Sequence, residues 1–230
     1  MHALEATLQE IDRERPEALW CLGDLVGYGP RPNECCGLVR ERADVCLLGN
    51  HDLGVLGQLD LDDFAPDAAA AARWTRTVLT ETEREFLGSL EPSASVEAAE
   101  LYHASPRDSV WEYVLSPEAA LAAFDLTSAA LVLVGHSHVA LMIESVRGRL
   151  RGGQAPAGTA ADLSKGRWLL NPGSVGQPRD GDPRAAWLLL DLDARRADFR
   201  RVEYEIERTQ AEIHERGLPE PLAARLAAGV

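Results

Sequence analysis

The stretch ALWCLGDLVGYGP, residues 18–30, carries a pattern that recurs along the chain: a short apolar run without alternation ends abruptly in Gly, Asp, Asn or His. VCLL (residues 45–48) runs into Gly49, Asn50 and His51, LVLV (131–134) into Gly135 and His136, and WLL (168–170) into Asn171, Pro172 and Gly173. Runs of this kind read as strands covered on both faces, because a strand with one face in water would alternate. Segments of helical character lie between the early runs: Met1 to Arg15, about Asn33 to Arg42, and an Ala-rich stretch from about Asp67 to Leu90. The alternation of strand and helix predicts an α/β fold whose polar residues gather at the carboxyl ends of the strands.

The first helix begins with the chain itself. Met1, Leu4, Leu8 and Ile11 recur at the helical interval with charged residues between them, and Pro16 follows. From Leu131 onward the rhythm changes. The runs LVLV, ALMIESV, RLRGG, RWLL, AAWLLLDL and ADFRRVEYEI are joined by short turns, which predicts antiparallel strands of a second packed sheet. The tail from Glu207 to Val230 is interrupted at Pro219 and Pro221 and predicts two short helices. No repeat or linker divides residues 1–230, so one domain is expected.

A chain of 230 residues with 46% hydrophobic composition can build one sizeable core. Its net charge of −14 argues against a grip on a nucleic acid duplex or an anionic membrane, since no excess of Lys and Arg is available to displace counterions. The apolar runs fall far short of the roughly 18 residues of a membrane span, and no signal-peptide pattern opens the chain. A cytoplasmic location is the expectation. Four cysteines, Cys21, Cys35, Cys36 and Cys46, lack CxxC spacing and read as buried free thiols.

Histidine placement is the sharpest chemical signal. Of six histidines, His51, His103, His136 and His138 sit just after apolar runs, where α/β proteins assemble their sites. Asp24 and Asn50 occupy matching strand ends. Together they form an oxygen and nitrogen donor set without thiolate, suited to Mn, Fe, Zn or similar divalent ions rather than to structural zinc. Taken singly, GHSH and GNHD also read as polar turns, since Asn and Asp are ordinary turn formers. A dinucleotide-binding reading would need GxGxxG between strand and helix, and GDLVGYGP does not match it.

Read together, GDLVGYGP (23–30), LLGNHD (47–52), YHASP (102–106), VGHSH (134–138) and LNPGSVGQPRDGDPRA (170–185) resemble the motifs of the calcineurin-like metallophosphoesterases, in particular the small bacterial phosphodiesterase branch. The resemblance implies a four-layer αββα sandwich with two divalent metals (Mn, Fe, Zn, Ni or Mg) above the strand ends. By motif position Asp24 would bridge the two ions, Asn50, His103 and His136 would complete one site, and His138 would serve the other. Members of the family begin with a strand ending in DxH, then Gly-Asn, then the helix that here reads HALEATL. As given, the chain lacks that strand and its two ligands, and it can fill one site with four ligands but offers only Asp24 and His138 to the second. An upstream start that restores the strand is the expectation. His2, on the helix beyond the motif, is no substitute.

The reaction implied is hydrolysis of a phosphoester (a phosphodiester, a nucleotide or a dinucleoside polyphosphate) by a metal-bound hydroxide at a dinuclear centre, with a small phosphorylated molecule as substrate. His51, beside Asn50, is expected to give a proton to the leaving oxygen or to stabilise the transition state. Asp52 is expected either to orient His51 or to cap a helix. Tyr28 is a candidate for stacking on a base, and Arg31 and Arg179 for holding a terminal phosphate. Their plainer readings are packing against Pro30 and pairing with Asp180 or Asp182. The alternative from another class is a one-metal binding or regulatory module with the same fold and impaired catalysis.

Overall fold

The computed structural model describes residues 1–96 and 99–230. The chain runs through α1 (His2–Glu14), β1 (Trp20–Cys21), α2 (Pro32–Arg42), β2 (Val45–Cys46), α3 (Asn50–Leu56), α4 (Pro66–Val78), α5 (Glu81–Gly88), β3 (Ser93–Val96) and β4 (Ala99–Tyr102). It continues through α6 (Pro117–Leu126), β5 (Leu131–Val134), β6 (Ala140–Val146), β7 (Arg149–Gln154), β8 (Ala160–Asp162), β9 (Arg167–Pro172), β10 (Ala185–Asp191), β11 (Arg196–Val202), α7 (Ile206–Glu215) and α8 (Glu220–Ala228). Local chemistry sets several of these boundaries. Proline occupies the first turn of α2, α4 and α6, where its missing N–H costs nothing, and the Ser116 hydroxyl caps α6 by accepting from Ala119 N–H. The Ala-rich stretch is two helices rather than one, because Leu79 turns extended and buries its side chain while Thr80 starts α5.

Two stacked sheets form the middle of the molecule. The larger has the order β3-β4-β5-β9-β6-β7, with β4, β5, β9 and β7 pointing one way and β3 and β6 running against them. Opposite it lie the parallel pair β1-β2, with Cys21 beside Cys46, and the antiparallel set β10-β11-β8. The core between them joins Leu101, Leu133 and Leu170 of the large sheet to Leu47, Ala197 and Phe199, with Trp20 and Leu188 packed against it. Each fully buried side chain of this size contributes about 1.5–3 kcal/mol. On one outside, Leu8 and Ile11 of α1 cover Trp187 of β10. On the other, Ala120, Ala123 and Phe124 of α6 cover Val132, Val134, Leu141 and Leu169. The arrangement is the expected four-layer αββα sandwich.

Several expectations are corrected. The strands after Leu131 do not make one antiparallel sheet: β5 pairs in parallel with β9, and β8, β10 and β11 belong to the opposite layer. GNHD is not a loop but the opening turn of α3. The strands β3 and β8 lack the unbroken apolar runs that revealed the others, and Glu100 interrupts that of β4. The cysteines are free, but Cys36 alone is fully buried and the other three are partly exposed. Among the described residues, no helix is long and apolar enough to cross a membrane.

Because β1 and β2 are parallel, as are β4, β5 and β9, each set delivers its carboxyl ends together. Asp24, Asn50, His103 and His136 all follow those ends.

Candidate metal centre

Asp24 leaves β1 in a left-handed conformation (φ 57°), and His136 (φ 56°) and His138 (φ 60°) do the same after β5. Non-glycine residues enter this region at a cost of about 1–3 kcal/mol each, and such strain clusters at functional sites. Here it brings the Asp24 and His136 side chains together, while His138 lies outside that group of close donors. Asn171, in the LNPGS motif, holds the GHSH turn in that shape: its amide donates to the Gly135 carbonyl (2.6 Å) and Ser137 Oγ (3.0 Å), and its oxygen accepts from Gly173 N–H.

Three imidazoles are each pinned by a backbone carbonyl. His103 Nδ1 donates to Leu22 O (2.7 Å), His136 Nε2 to Trp111 O (3.2 Å) and His138 Nδ1 to Gln177 O (2.9 Å). A nitrogen facing a carbonyl must carry the proton, so the other nitrogen of each ring keeps its lone pair. This arrangement orients histidine ligands in metal sites. His103 Nε2 lies 3.2 Å from Asn50 Oδ1 and 3.6 Å from Asp24 Oδ2. Donor atoms of Asp24, His103 and His136 fall within 4.8 Å of one another.

His51 and Asp52 sit in the first turn of α3. The His51 N–H donates to Asp24 Oδ1 (2.9 Å), and the His51 ring lies 4.0 Å from Tyr28 and 5.1 Å from Phe64. Gly49 is forced by this crowding, since a Cβ there would stand 2.0 Å from Asp24 Oδ1. Gly27 combines a φ of 101° with a close approach to His51, whose Nδ1 would be 2.8 Å from an added Cβ.

The donor set fits a divalent cation. Asp24 Oδ2, His136 Nδ1 and His51 Nδ1 are buried with no hydrogen-bond partner in the protein, a state that costs about 1–3 kcal/mol for each group unless something else satisfies it. Burial lowers the pKa of His51 and of His136 to about 4 and that of His138 to about 3. All three are therefore neutral, with a lone pair to offer, at pH 7. Burial works against the Asp24 charge, but His103, His51, His138 and the His51 N–H outweigh it and hold the carboxyl at about 2. One carboxylate, one amide oxygen and neutral imidazoles match the ligand preference of Mn, Fe or Zn.

Several expected roles change. Asp52 does not orient His51, because its two oxygens accept the N–H groups of Asp24, Leu25, Val26 and Gly49. The capping role, extended to the neighbouring loop, is the one its contacts support. Arg31 is not free for a phosphate: its guanidinium grips Glu212 of α7 through both carboxylate oxygens. His2 lies on α1 against Thr209 and Glu212. The partly buried Tyr28 ring contacts His51 and the Arg179 guanidinium, which lies 5.7 Å from its centroid. Arg179 pairs with neither Asp180 nor Asp182, which bind Arg201 and Arg184; it donates to Tyr28 Oη (2.9 Å) and Gln177 Oε1 (2.8 Å). Sequence reasoning missed Tyr113, which is 48% exposed and stacks on His136 at 4.2 Å and 11°. It also missed the carbonyls of Leu22, Trp111 and Gln177, which no residue identity encodes.

Comparison with known proteins places this geometry among relatives. The family model described as the calcineurin-like phosphoesterase superfamily domain matches residues 1–195. An uncharacterised protein of Methanocaldococcus jannaschii is 37% identical over 234 residues, an alignment that covers 100% of this chain and 93% of that protein. The crystal structure of a metallophosphoesterase from Sphaerobacter thermophilus superposes with a TM-score of 0.90 at 44% identity, covering 100% of this chain and 94% of the other. A hypothetical protein from Pyrococcus horikoshii shares the fold, with a TM-score of 0.79 at 20% identity over 100% of this chain and 94% of its own.

Proposed function

Since the chain belongs to the calcineurin-like phosphoesterase superfamily, we propose that it hydrolyses a phosphoester with the help of divalent metal. Asp24, Asn50, His103 and His136 would hold one ion, and Asp24 with His138 would contribute to a second. The observation that carries this reading is the group of buried donor atoms of Asp24, His103 and His136, within 4.8 Å of one another and partly without protein partners. A bound divalent ion supplies Lewis acidity toward phosphoryl oxygens and water.

The chain's own residues supply the rest. The carbonyls of Leu22, Trp111 and Gln177 fix the imidazole orientations in advance, so no reorganisation is needed when the anion arrives. We assign His51 to the leaving oxygen, which the N–H kept by its neutral ring would protonate or stabilise by a hydrogen bond in the transition state. His51 is anchored to Asp24 through its backbone N–H alone, which leaves its ring free for that task. With Asp24 as the one charged donor, the ligand set balances only part of the charge of a divalent ion and leaves the site attractive to an anion within an acidic protein.

The test is metal content by elemental analysis, followed by hydrolysis of p-nitrophenyl phosphate and bis-p-nitrophenyl phosphate with Mn²⁺ supplied. Bound metal and metal-dependent turnover of either ester support the reading, and a protein that takes up no divalent ion overturns it. A second reading, a one-metal module with impaired catalysis, draws on the grouping of donors around Asp24, His103 and His136. One tightly held ion without turnover would select it.

A further inference from the structure

The loop after β9 contains three arginine and aspartate partners that pair among themselves and with β11, and one cation that does not. Asp182 takes Arg184, and Asp180 takes Arg201 in an ion pair whose side chains are 3% and 6% exposed. Arg179 is left with uncharged acceptors, the Tyr28 hydroxyl and the Gln177 amide oxygen. Among the described residues, no carboxylate is ion-paired with it. Its place is nevertheless fixed at the centre: its backbone N–H donates to the His138 carbonyl (3.0 Å), and the Tyr28 ring it touches lies 4.0 Å from His51 and 5.9 Å from His138.

Two consequences follow from donor counting. A guanidinium has five N–H donors. Those on Nη2 serve Tyr28 and Gln177, so Nε and Nη1 remain available to an incoming group. The Tyr28 hydroxyl accepts from Arg179 and so aims its own proton elsewhere, and burial keeps that phenol protonated by raising its pKa. A cation and a neutral O–H donor thus stand together beside the candidate metal ligands, in a chain whose net charge is −14. An anion is the group that both would bind.

Phosphodiesters and phosphomonoesters differ in what they offer such a pair. A diester has two non-bridging oxygens and a single negative charge. A monoester has a third non-bridging oxygen and, near pH 7, a second charge. Resting on the phosphoesterase reading above, we propose that Arg179 and Tyr28 form a subsite for the third oxygen and second charge of a phosphomonoester dianion. The pair determines specificity: the site favours monoesters over diesters by the hydrogen bonds that only a terminal phosphoryl group can complete. Charge-assisted bonds of the guanidinium type are worth roughly a 10–100-fold change in affinity.

The experiment uses the Mn²⁺-loaded protein and two small probes, methyl phosphate and dimethyl phosphate, with binding followed by calorimetry for wild type, Arg179→Gln, Arg179→Lys and Tyr28→Phe. Wild type should bind methyl phosphate at least roughly 10-fold more tightly than dimethyl phosphate. Arg179→Gln should erase that preference, Arg179→Lys should restore part of it, and Tyr28→Phe should narrow it, all with metal content unchanged. Equal affinity of wild type for the two probes overturns the proposal, as does an equal loss for both probes in Arg179→Gln. Hydrolysis of bis-p-nitrophenyl phosphate by the same samples separates the two readings. Turnover of the diester without a monoester preference in binding would leave the phosphoesterase reading standing and remove the subsite, whereas a protein that binds neither probe and turns over neither ester would remove both.

Discussion

His103 reaches Asp24 across the two sheets, with Nε2 at 3.6 Å from Oδ2, while its Nδ1 is tied to the Leu22 carbonyl two residues before that same aspartate. One side chain just beyond β4 thus clamps both ends of the turn that carries Asp24. The ligand set is organised through this turn, and Asp24 is the residue whose replacement isolates it.

Asp24→Asn removes the one negative charge from the donor group and keeps its size. Asparagine also tolerates the left-handed backbone that Asp24 adopts. The variant should fold normally, as judged by circular dichroism, yet lose divalent metal affinity by more than about 100-fold. A variant that retains wild-type metal content would place the ion elsewhere.

His51→Ala separates chemistry from binding. His51 contributes its backbone, not its ring, to the Asp24 contact. Metal content should therefore stay close to that of wild type while turnover falls by roughly 10²–10⁴, the range of general acid catalysis. The loss should be largest for esters with poor leaving groups. Metal loss as severe as in Asp24→Asn would make His51 a ligand.

Tyr113 presses its ring flat against His136, whose Nδ1 faces the candidate centre. Tyr113→Ala should loosen that imidazole and weaken Mn²⁺ binding by roughly 10-fold, the lower end of effects from residues that support ligands. Tyr113→Phe should behave like wild type in the same titration, because the stacking needs the ring and not the hydroxyl.

Metal-stripped protein should be unusually sensitive to mild acid. Burial drives the imidazoles of His51 and His136 to about 4 and that of His138 to about 3, against roughly 6.5 in an unfolded chain. The folded values lie below the unfolded one, so this contribution is complete above about pH 6.5 and is lost as pH falls toward 4. In that window each group costs about 1.4 kcal/mol per pH unit. Urea midpoints of the stripped protein should fall steeply between pH 7 and pH 5. A flat profile would mean that these imidazoles are solvated.

Arg201→Leu tests the frame rather than the centre. It strips the partner from Asp180, a carboxylate only 6% exposed that also accepts the Ala140 N–H at the start of β6. Leaving a buried charge unpaired costs about 3–5 kcal/mol, which for a chain of this size lowers Tm by roughly 10 °C. A shift of a degree or two would show that water reaches Asp180.

Asp24, Asn50 and His136 were legible because each follows an unbroken apolar run, and parallel strands bring such ends together; His103 follows a run that Glu100 interrupts. The same logic located β1, β2, β5 and β9. It failed where the run was too short or too polar, as in SASV of β3 and AAD of β8. It failed again where a contact spans the chain: Arg31 and Glu212 are 181 residues apart, and nothing in GYGPRP announces a helix near the carboxyl end as its partner. Tyr113 escaped notice because neither a motif nor a period marks it; its importance comes from the ring it covers.

Asp52 gathers the amides of Asp24, Leu25 and Val26 from one loop and that of Gly49 from another onto a single carboxylate. The two loops consequently cannot breathe separately. Opening either one strands several donors at once, so the smallest excursion of this region is a concerted one that carries Asp24 and Asn50 away together. In hydrogen exchange these four amides should behave as one cooperative unit, with a common opening free energy well above that of ordinary surface loops. Asp52→Asn, which halves the acceptors and adds a misplaced donor, should let them exchange at separate rates.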